Sequence, residues 1–430
     1  MSSKFFNIEE LYKLFVQFPV ICTDTRKITP DCLFFCLKGD HFDGNFFVNE
    51  ALEKGAKFVV TENRHLPKAE AIIVVEDVLL SLQQLANYHR NQLQIPIIGI
   101  TGTNGKTTTK ELIAVVLSKK FRTVYTQGNL NNHIGVPLTL LSITNEDEIA
   151  IVEMGANHVG EIEFLCQIAQ PNYGLITNIG KAHLEGFGSI ENIIETKTAI
   201  YHETQIVFVN KEDQVLREKA ESRKQKAEGI LPKYYGRGTD ISGEIVAMNP
   251  CLVVALFGKK IQTHLTGNYN LPNILAAAAI GRYFNVLTED ICNAIAGYFP
   301  QNHRSQIIKI ETNTIIADFY NANPTSMMAA LGNFLLIEAP NKLAILGDMF
   351  ELGENSRLEH QAIIDFCKSN HLKTIFIGTN FFSLHNEGFR FFLDLQECNH
   401  YLQNNKVENH FILIKGSRGA HLEEMSLLYP

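Results

Sequence analysis

The segment Thr101-Gly102-Thr103-Asn104-Gly105-Lys106-Thr107 stands between an apolar run, Ile95-Pro96-Ile97-Ile98-Gly99-Ile100, and a stretch from Thr107 to Ser118 that carries Leu112, Val115 and Val116 at helical spacing. An apolar run of this kind makes a strand buried on both faces of a parallel sheet. The order is therefore strand, glycine-containing loop, helix, and that order suits phosphate. Backbone N–H groups and the helix dipole converge on an anion, a lysine reaches the terminal phosphates, and a threonine hydroxyl can ligate magnesium. The candidate nucleotide-binding residues are Gly102, Thr103, Asn104, Gly105, Lys106, Thr107 and Thr108. The loop departs from the strict phosphate-loop pattern, since Ile100 stands where the first glycine is required. The bland alternative is a glycine-rich turn with an exposed lysine.

Further strands are expected at Ile149 to Glu153, Leu175 to Asn178 and Ile206 to Asn210, with a solvated helix over Lys211 to Lys226. Strands alternating with helices predict an α/β unit with a mostly parallel sheet covered on both faces. Before it, runs such as Leu33 to Leu37 and Ala71 to Val75, with a helical segment from Leu79 to His89, predict a small α/β unit. A fresh alternation begins after Phe299-Pro300-Gln301, with strands at Ile307 to Ile310, Thr314 to Asp318, Leu343 to Leu346, Thr374 to Ile377 and Phe411 to Ile414. The expected domains are residues 1–94, 95–302 and 303–430. A chain of 430 residues, 45% hydrophobic and 20% charged, can fill about three cores.

The net charge of -8 gives no ground for docking on nucleic acid or an anionic membrane. The eight cysteines contain no C-x-x-C pair and read as reduced, mostly buried thiols. Neither a leader-like apolar segment at the N-terminus nor a run of roughly 20 apolar residues is present, so the cytoplasm is the expected compartment and no membrane insertion is expected.

A phosphate loop says only nucleotide triphosphate, so the reaction has to be read from what surrounds it. The strand Ile149 to Val152 ends in Glu153-Met154-Gly155-Ala156-Asn157-His158, which puts a carboxylate at a strand's C-terminal end, where open α/β sheets bind ligands. Glu153 is thus a candidate metal ligand. A second candidate, His183 in Ala182-His183-Leu184-Glu185-Gly186-Phe187-Gly188, also follows a strand, although a lone histidine is more often structural.

Taken with the loop T-G-T-N-G-K-T, the runs E-M-G-A-N-H-x-G-E-I (Glu153 to Ile162), A-H-L-E-G-F-G (Ala182 to Gly188), Y-N-A-N-P (Tyr320 to Pro324), L-G-D-M-x-E-L-G (Leu346 to Gly353) and K-G-S-R (Lys415 to Arg418) resemble the Mur ligases, in order and along nearly the whole chain. The resemblance implies three domains: one for a UDP-sugar, a central phosphate-loop domain, and a Rossmann-like C-terminal domain. It also implies a reaction of peptidoglycan synthesis in which a substrate carboxylate attacks the γ-phosphate of ATP and an amine displaces the resulting acyl phosphate. The implied substrates are UDP-N-acetylmuramoyl-tripeptide and D-alanyl-D-alanine, with ATP and magnesium, and a monomer is expected.

The physics of the residues agrees, because two like-charged reactants must meet and the site needs cations. By resemblance, magnesium falls to Thr107, Glu153 and His183, and Lys106 lies beside the migrating phosphoryl group. Lys197 matches a family lysine that carries a carbamate, which turns a cation that would repel a metal into an anionic ligand. The alternative is a solvated helix lysine. Asn270 and Asn273, in Gly267-Asn268-Tyr269-Asn270-Leu271-Pro272-Asn273, fall on the adenine side, with Tyr269 where the family has histidine; a helix N-cap is the other reading. Arg304 falls at the junction with the third domain, where it can cross the cleft to phosphate, and Asp318 at the ATP ribose. The catalytic expectation is Lys106, Lys197, His183 and Arg304.

Asn321, Asn323, Lys415 and Arg418 fall on the dipeptide and acyl-phosphate side, although Arg418 could instead pair with a surface carboxylate. In the first domain, Asp24, Thr25 and Arg26 with Phe42, Asp43 and Gly44 match the segments that hold the UDP end. Arg26 is the natural diphosphate partner, and a structural ion pair is its alternative. Two other functions remain open: a sister ligase with another amine substrate, such as a folylpolyglutamate synthetase, and a non-catalytic nucleotide-dependent switch.

Overall fold

The structure is a computed structural model that describes residues 6–39, 42–66, 69–225, 231–301 and 303–429. Lys226, the last residue of the expected polar helix, and Asn302, the last of the expected central domain, lie outside these residues.

The first domain has a four-stranded parallel sheet in the order Ile21–Cys22, Leu33–Phe35, Phe58–Thr61, Ile72–Val74. The helix Ile8–Gln17 starts with a reciprocal cap between Asn7 and Glu10. The helix Val78–Gln92, capped by the Asp77 side chain on Leu80 N, packs against the helices Gly135–Leu141 and Glu161–Ala169 of the next domain. In consequence one apolar core runs from Leu33, Phe35 and Val60 through Leu82 and Leu85 to Val136, Leu165 and Val152.

The central domain carries a six-stranded parallel sheet in the order Leu231–Tyr235, Ile206–Asn210, Tyr173–Ile176, Ile97–Thr101, Ile149–Glu153, Thr123–Tyr125. Successive strand residues serve opposite cores: Ile97, Ala150, Val152 and Ile176 face the core shared with the first domain, whereas Ile98, Ile100, Ile151 and Leu175 face a second one under the helices Lys106–Leu117 and Leu271–Tyr283. This two-sided burial is why the strands read as continuous apolar runs. The strand Ile97–Thr101 has later strands on both sides, so a crevice opens at its C-terminal end.

Residues 243–266 form an antiparallel meander, Gly243–Met248, Cys251–Leu256 and Lys259–Thr266, which the sequence pattern did not suggest. It covers the second core with Leu252, Val254, Leu256, Ile261 and Leu265.

The C-terminal domain has six strands in the order Gln306–Ile310, Asn313–Asp318, Phe411–Lys415, Lys342–Gly347, Thr374–Ile377, Arg390–Phe392, all parallel except the first pair. Ile316, Leu346 and Leu413 face one core and Ile315, Ile345 and Ile414 the other. No helix of the described residues is long and apolar enough to cross a membrane.

Candidate active site

The phosphate loop folds as it does because two glycines allow it. Gly102 has φ 139°, and a Cβ there would lie 2.0 Å from Thr177 Oγ1. Gly105 has φ 78° and stands at the N-cap of Lys106–Leu117, against the Asn273 side chain. The neighbouring strand braces the loop: Thr103 N donates to Asn178 O (2.9 Å), Asn104 N to Asn178 Oδ1 (3.0 Å) and Thr177 Oγ1 to Asn104 O (2.6 Å). Lys106 Nζ donates to Gly102 O (2.7 Å) and Thr103 O (3.1 Å). Desolvation, reinforced by the charge of Arg304, pushes its ammonium below the usual lysine range against the pull of Glu153.

Thr107 Oγ1 donates to Glu153 Oε2 at 2.9 Å. The other carboxylate oxygen, Oε1, accepts from Asn131 Nδ2 at 2.8 Å, and Lys110 Nζ stands 3.8 Å from Oε2 with both side chains buried. Lys110 also donates to Thr126 O (2.6 Å), and Thr126 Oγ1 accepts from Glu153 N (3.0 Å). A hydroxyl and a carboxylate side by side at a helix N-terminus are the hard oxygen donors that magnesium takes from protein while keeping phosphate and water ligands, so these two residues fit it. Among the described residues no group of three or more His, Cys, Asp or Glu side chains gathers as a cage. His183 (φ 51°) turns Nδ1 to Glu351 Oε2 of the C-terminal domain, and that contact holds Glu351 below the usual carboxylate range.

Lys197, on the helix Ile190–Thr198, is 2% exposed and is therefore not a solvated helix lysine. Its ammonium stands 5.7 Å from the centroid of the Phe187 ring. Burial, helped by the charge of Lys106 and opposed by Glu161, lowers its pKa to about 7.

A cleft of about 960 Å³ between the central and C-terminal domains gathers Thr103 to Thr108, Glu153, His183, Asn270, Asn273, Arg304, Asp318, Asn321, Asn323, Lys415 and Arg418. Of the residues expected in these two domains, Gly102 and Lys197 stand behind its wall rather than in it. The domains touch across the cleft: Asn323 Nδ2 donates to Asn104 Oδ1 (2.8 Å), Lys181 N to Thr325 Oγ1 (3.1 Å) and Lys181 Nζ to Glu359 Oε1 (3.0 Å).

Asn270 occupies the N-cap position of its helix without capping it. Its amide donates to Thr266 O (2.8 Å) and accepts from Asn273 Nδ2 (2.9 Å). Asn323 is the true cap, of Pro324–Leu336. Asp318 already has both oxygens engaged, by Lys415 Nζ (2.7 Å) and Ser305 N (3.0 Å). Asn321 accepts a longer bond from the same ammonium at its backbone oxygen (3.4 Å). Arg418 is exposed, 5.9 Å from the Tyr320 ring centroid.

The first-domain candidates are not part of this cleft. Arg26, its side chain 85% exposed, forks onto Asp24 through Nε (2.9 Å) and Nη2 (2.7 Å), while Asp24 also caps the turn at Thr25. Asp43 accepts from Asn45 N (2.9 Å), Gly44 is packed against the Leu37 carbonyl, and Phe42 is exposed.

Sequence reasoning missed Lys110, Asn131, Tyr269, Tyr320 and Glu351 as members of the site. Asn131 lay in a polar stretch that reads as loop, and Lys110, one turn beyond Lys106, reads as a solvent-facing residue. Tyr269 was noted only as a departure, yet its hydroxyl is 3.0 Å from Ser305 Oγ at the domain junction.

Three family descriptions match the chain: the Mur ligase family catalytic domain over residues 18–96, the Mur ligase middle domain over 100–281, and the Mur ligase glutamate ligase domain over 303–418. The UDP-N-acetylmuramoyl-tripeptide--D-alanyl-D-alanine ligase of Bacillus subtilis (strain 168) is 36% identical over 424 residues, which cover 94% of this chain and 92% of that one. Among solved structures, MurF from Acinetobacter baumannii superposes with a TM-score of 0.85 at 32% identity, covering 95% of this chain and 92% of the other. MurF ligase from Thermotoga maritima in complex with ADP gives 0.82 at 25% identity, covering 95% and 96%.

Proposed function

The chain belongs to the Mur ligase family, and on that premise we propose that it joins D-alanyl-D-alanine to UDP-N-acetylmuramoyl-tripeptide, using ATP and giving UDP-N-acetylmuramoyl-pentapeptide, ADP and phosphate in peptidoglycan synthesis. The observation that carries this reading is the single cleft in which a phosphate loop with its Thr107–Glu153 pair faces Asn321, Asn323, Lys415 and Arg418 of another domain. Similarity over 84–94% of the chain to ligases of that name supports the choice of substrates.

The tripeptide's terminal carboxylate attacks the γ-phosphorus, the bond to ADP breaks, and the acyl phosphate forms; the dipeptide's amine then attacks the acyl carbon, phosphate leaves and the amine's proton is lost. Lys106 and Arg304 balance the negative charge that gathers as carboxylate and phosphate meet. The loop Gly102 to Thr108 wraps the phosphates, with the N–H groups at its helix end, Lys106 to Thr108, donating to them, and Asn270 and Asn273 meet the adenine edge. Asp318, kept in place by Lys415 and Ser305, meets the ribose. Asn321, Asn323 and Arg418 hold the incoming dipeptide.

Thr107 and Glu153, with His183, would hold magnesium, which would neutralise phosphate oxygens. Burial lowers the Lys197 pKa to about 7, which leaves its amine able to react with carbon dioxide, in keeping with the carbamate that its place in the family implies. In the first domain, Asp24, Thr25, Arg26, Phe42, Asp43 and Gly44 hold the UDP end; Arg26 is exposed enough to exchange Asp24 for a diphosphate. Residues 1–94, 95–302 and 303–430 act as the three units. One chain supplies the whole cleft, so a monomer needs no partner subunit for this reaction, and the cytoplasm, where ATP is at hand, suits it.

Phosphate release from ATP, measured with the UDP-tripeptide with and without D-alanyl-D-alanine and with mass detection of product, tests the reading. Release that needs both substrates and yields pentapeptide supports it. Release with another amine points to a sister ligase, and nucleotide binding without turnover points to a switch.

A further inference from the structure

Arg304 lies in a junction that is locked, residue by residue, to the end of the strand Asn313–Asp318. The His303 ring stacks on Phe319 with centroids 4.4 Å apart and planes at 24°. The Arg304 guanidinium carbon is 3.7 Å from the Tyr320 ring centroid. Ser305 N donates to Asp318 Oδ1 at 3.0 Å, and Tyr320 N to His303 O at 3.4 Å. His303 and Ser305, on either side of Arg304, both have φ 54°, a left-handed conformation that side-chain-bearing residues seldom adopt. Such a backbone persists only where its surroundings over-determine it, and here those surroundings are the four contacts just named.

The lock leaves the arginine uncommitted to any acceptor at one atom: Arg304 Nε is buried and has no hydrogen-bond partner. The side chain lines the same cleft as the phosphate loop, and its charge reaches Lys106. A guanidinium laid face-on to a ring keeps its N–H edge free, because the ring takes only the face. Asn323, three residues beyond Tyr320, bonds to Asn104 of the loop, which ties this segment to the phosphate loop.

We infer that Tyr320 is a positioning residue: its ring holds the Arg304 guanidinium with the N–H edge turned toward the phosphoryl group that moves from ATP to the carboxylate. The inference rests on the ligase reading and on the role proposed there for Arg304. An arginine aimed in this way contributes when charge moves, so its disturbance lowers kcat more than it raises KM for ATP.

Steady-state kinetics of the full chain with ATP, UDP-tripeptide and dipeptide decide the matter. Tyr320→Phe keeps the ring and most of the rate. Tyr320→Leu removes the face and lowers kcat about ten-fold, with KM for ATP changed less than about three-fold. In an Arg304→Ala background, Tyr320→Leu costs nothing more, because the two act as one unit. Should the leucine variant fail to fold, Tyr320→Met carries the same comparison. Equal losses for Phe and Leu, a loss confined to KM, or the same loss with and without Arg304 each overturn the inference. An Arg304→Ala variant with unchanged kcat overturns it through the arginine's role, whereas no pentapeptide from the unaltered protein is a failure of the ligase reading itself.

Discussion

Lys110 Nζ stands 3.8 Å from Glu153 Oε2, and the two side chains are 1% and 2% exposed. The two groups are buried as a pair beside Thr107, where either charge alone would be expensive. Desolvation pulls Lys110 below the usual lysine range and Glu153 pulls it back. Replacing Glu153 by Gln strands the ammonium, and a destabilisation of about 3 kcal/mol is expected from thermal or denaturant unfolding. Lys110→Met removes the cation and leaves the carboxylate only its neutral donors Thr107 and Asn131; it should weaken stability and, because a cation competing for the same carboxylate is gone, lower the magnesium concentration needed for half-maximal phosphate release. A magnesium requirement equal to that of the unaltered protein would show that Lys110 does not tune Glu153.

Lys197 supplies the pH dependence. With its pKa lowered to about 7 by burial and by Lys106, the amine is neutral and open to carbon dioxide above that pH and protonated below it. Activity in bicarbonate-depleted buffer should therefore be low, should recover on adding bicarbonate, and should recover less as the pH falls from about 8 to 6. For the unmodified amine, stability moves in the same direction. Between pH 7 and the ordinary lysine range the unfolded chain holds a proton that the folded chain lacks, so this residue's contribution to stability rises with pH there. Lys197→Met should flatten both dependences; an unchanged bicarbonate response would exclude the carbamate.

The phosphate loop was legible because several local signals coincide there: an apolar strand, glycines in a turn, a lysine and a helical pattern in one stretch of chain. Glu153 was legible from its place at a strand end. Lys197 was legible only through the family resemblance, since Glu195-Thr196-Lys197-Thr198 by itself reads as a solvated turn of helix, whereas in the fold the side chain is buried beside Phe187. The meander at residues 243–266 escaped for a related reason. Cys251–Leu256 alternates between half-buried and buried positions, but every residue in it is apolar, so its period of two leaves no mark in the sequence. Tyr320 and Glu351 belong to the site only because the C-terminal domain brings them over the central one, a relation with no local signature. Arg26 shows the converse: its motif is clear in the sequence, yet its guanidinium is occupied by Asp24 two residues away.

Gly102 offers a test of the loop apart from its charges. A Cβ at this position would meet Thr177 Oγ1 at 2.0 Å, and φ 139° lies where alanine is strained. The strand below and helix above are buried in two large cores, so Gly102→Ala should distort the loop rather than unfold the domain. Nucleotide binding, followed by titration calorimetry, should weaken by more than about ten-fold, while stability falls by only about 1–3 kcal/mol. Unaltered ATP affinity would mean that the loop's backbone does not cradle the phosphates.

Arg90 bears on how the molecule moves. Its buried guanidinium donates from Nε to Ala169 O (3.1 Å), from Nη1 to Leu93 O (3.2 Å), and from Nη2 to Gln170 O (3.0 Å) and Asn172 Oδ1 (3.1 Å). It thus caps the C-terminus of Glu161–Ala169, where a cation is favoured, and Asn172 passes the link on by accepting from Ile97 N at 2.8 Å. Beside it, His89 Nε2 bonds to Ile143 O at 2.9 Å. First and central domains therefore share both a core and a polar clamp, whereas the central and C-terminal domains meet mainly through side-chain bonds across the cleft and the strained junction at 303–305. Arg90→Ala leaves several carbonyls without a donor and should cost roughly 3 kcal/mol. Because the clamp lies away from the cleft, the surviving folded fraction should keep its KM for ATP. A variant as stable as the parent would show that the shared apolar core alone fixes the first two domains, and a raised KM for ATP would show that their junction takes part in closure.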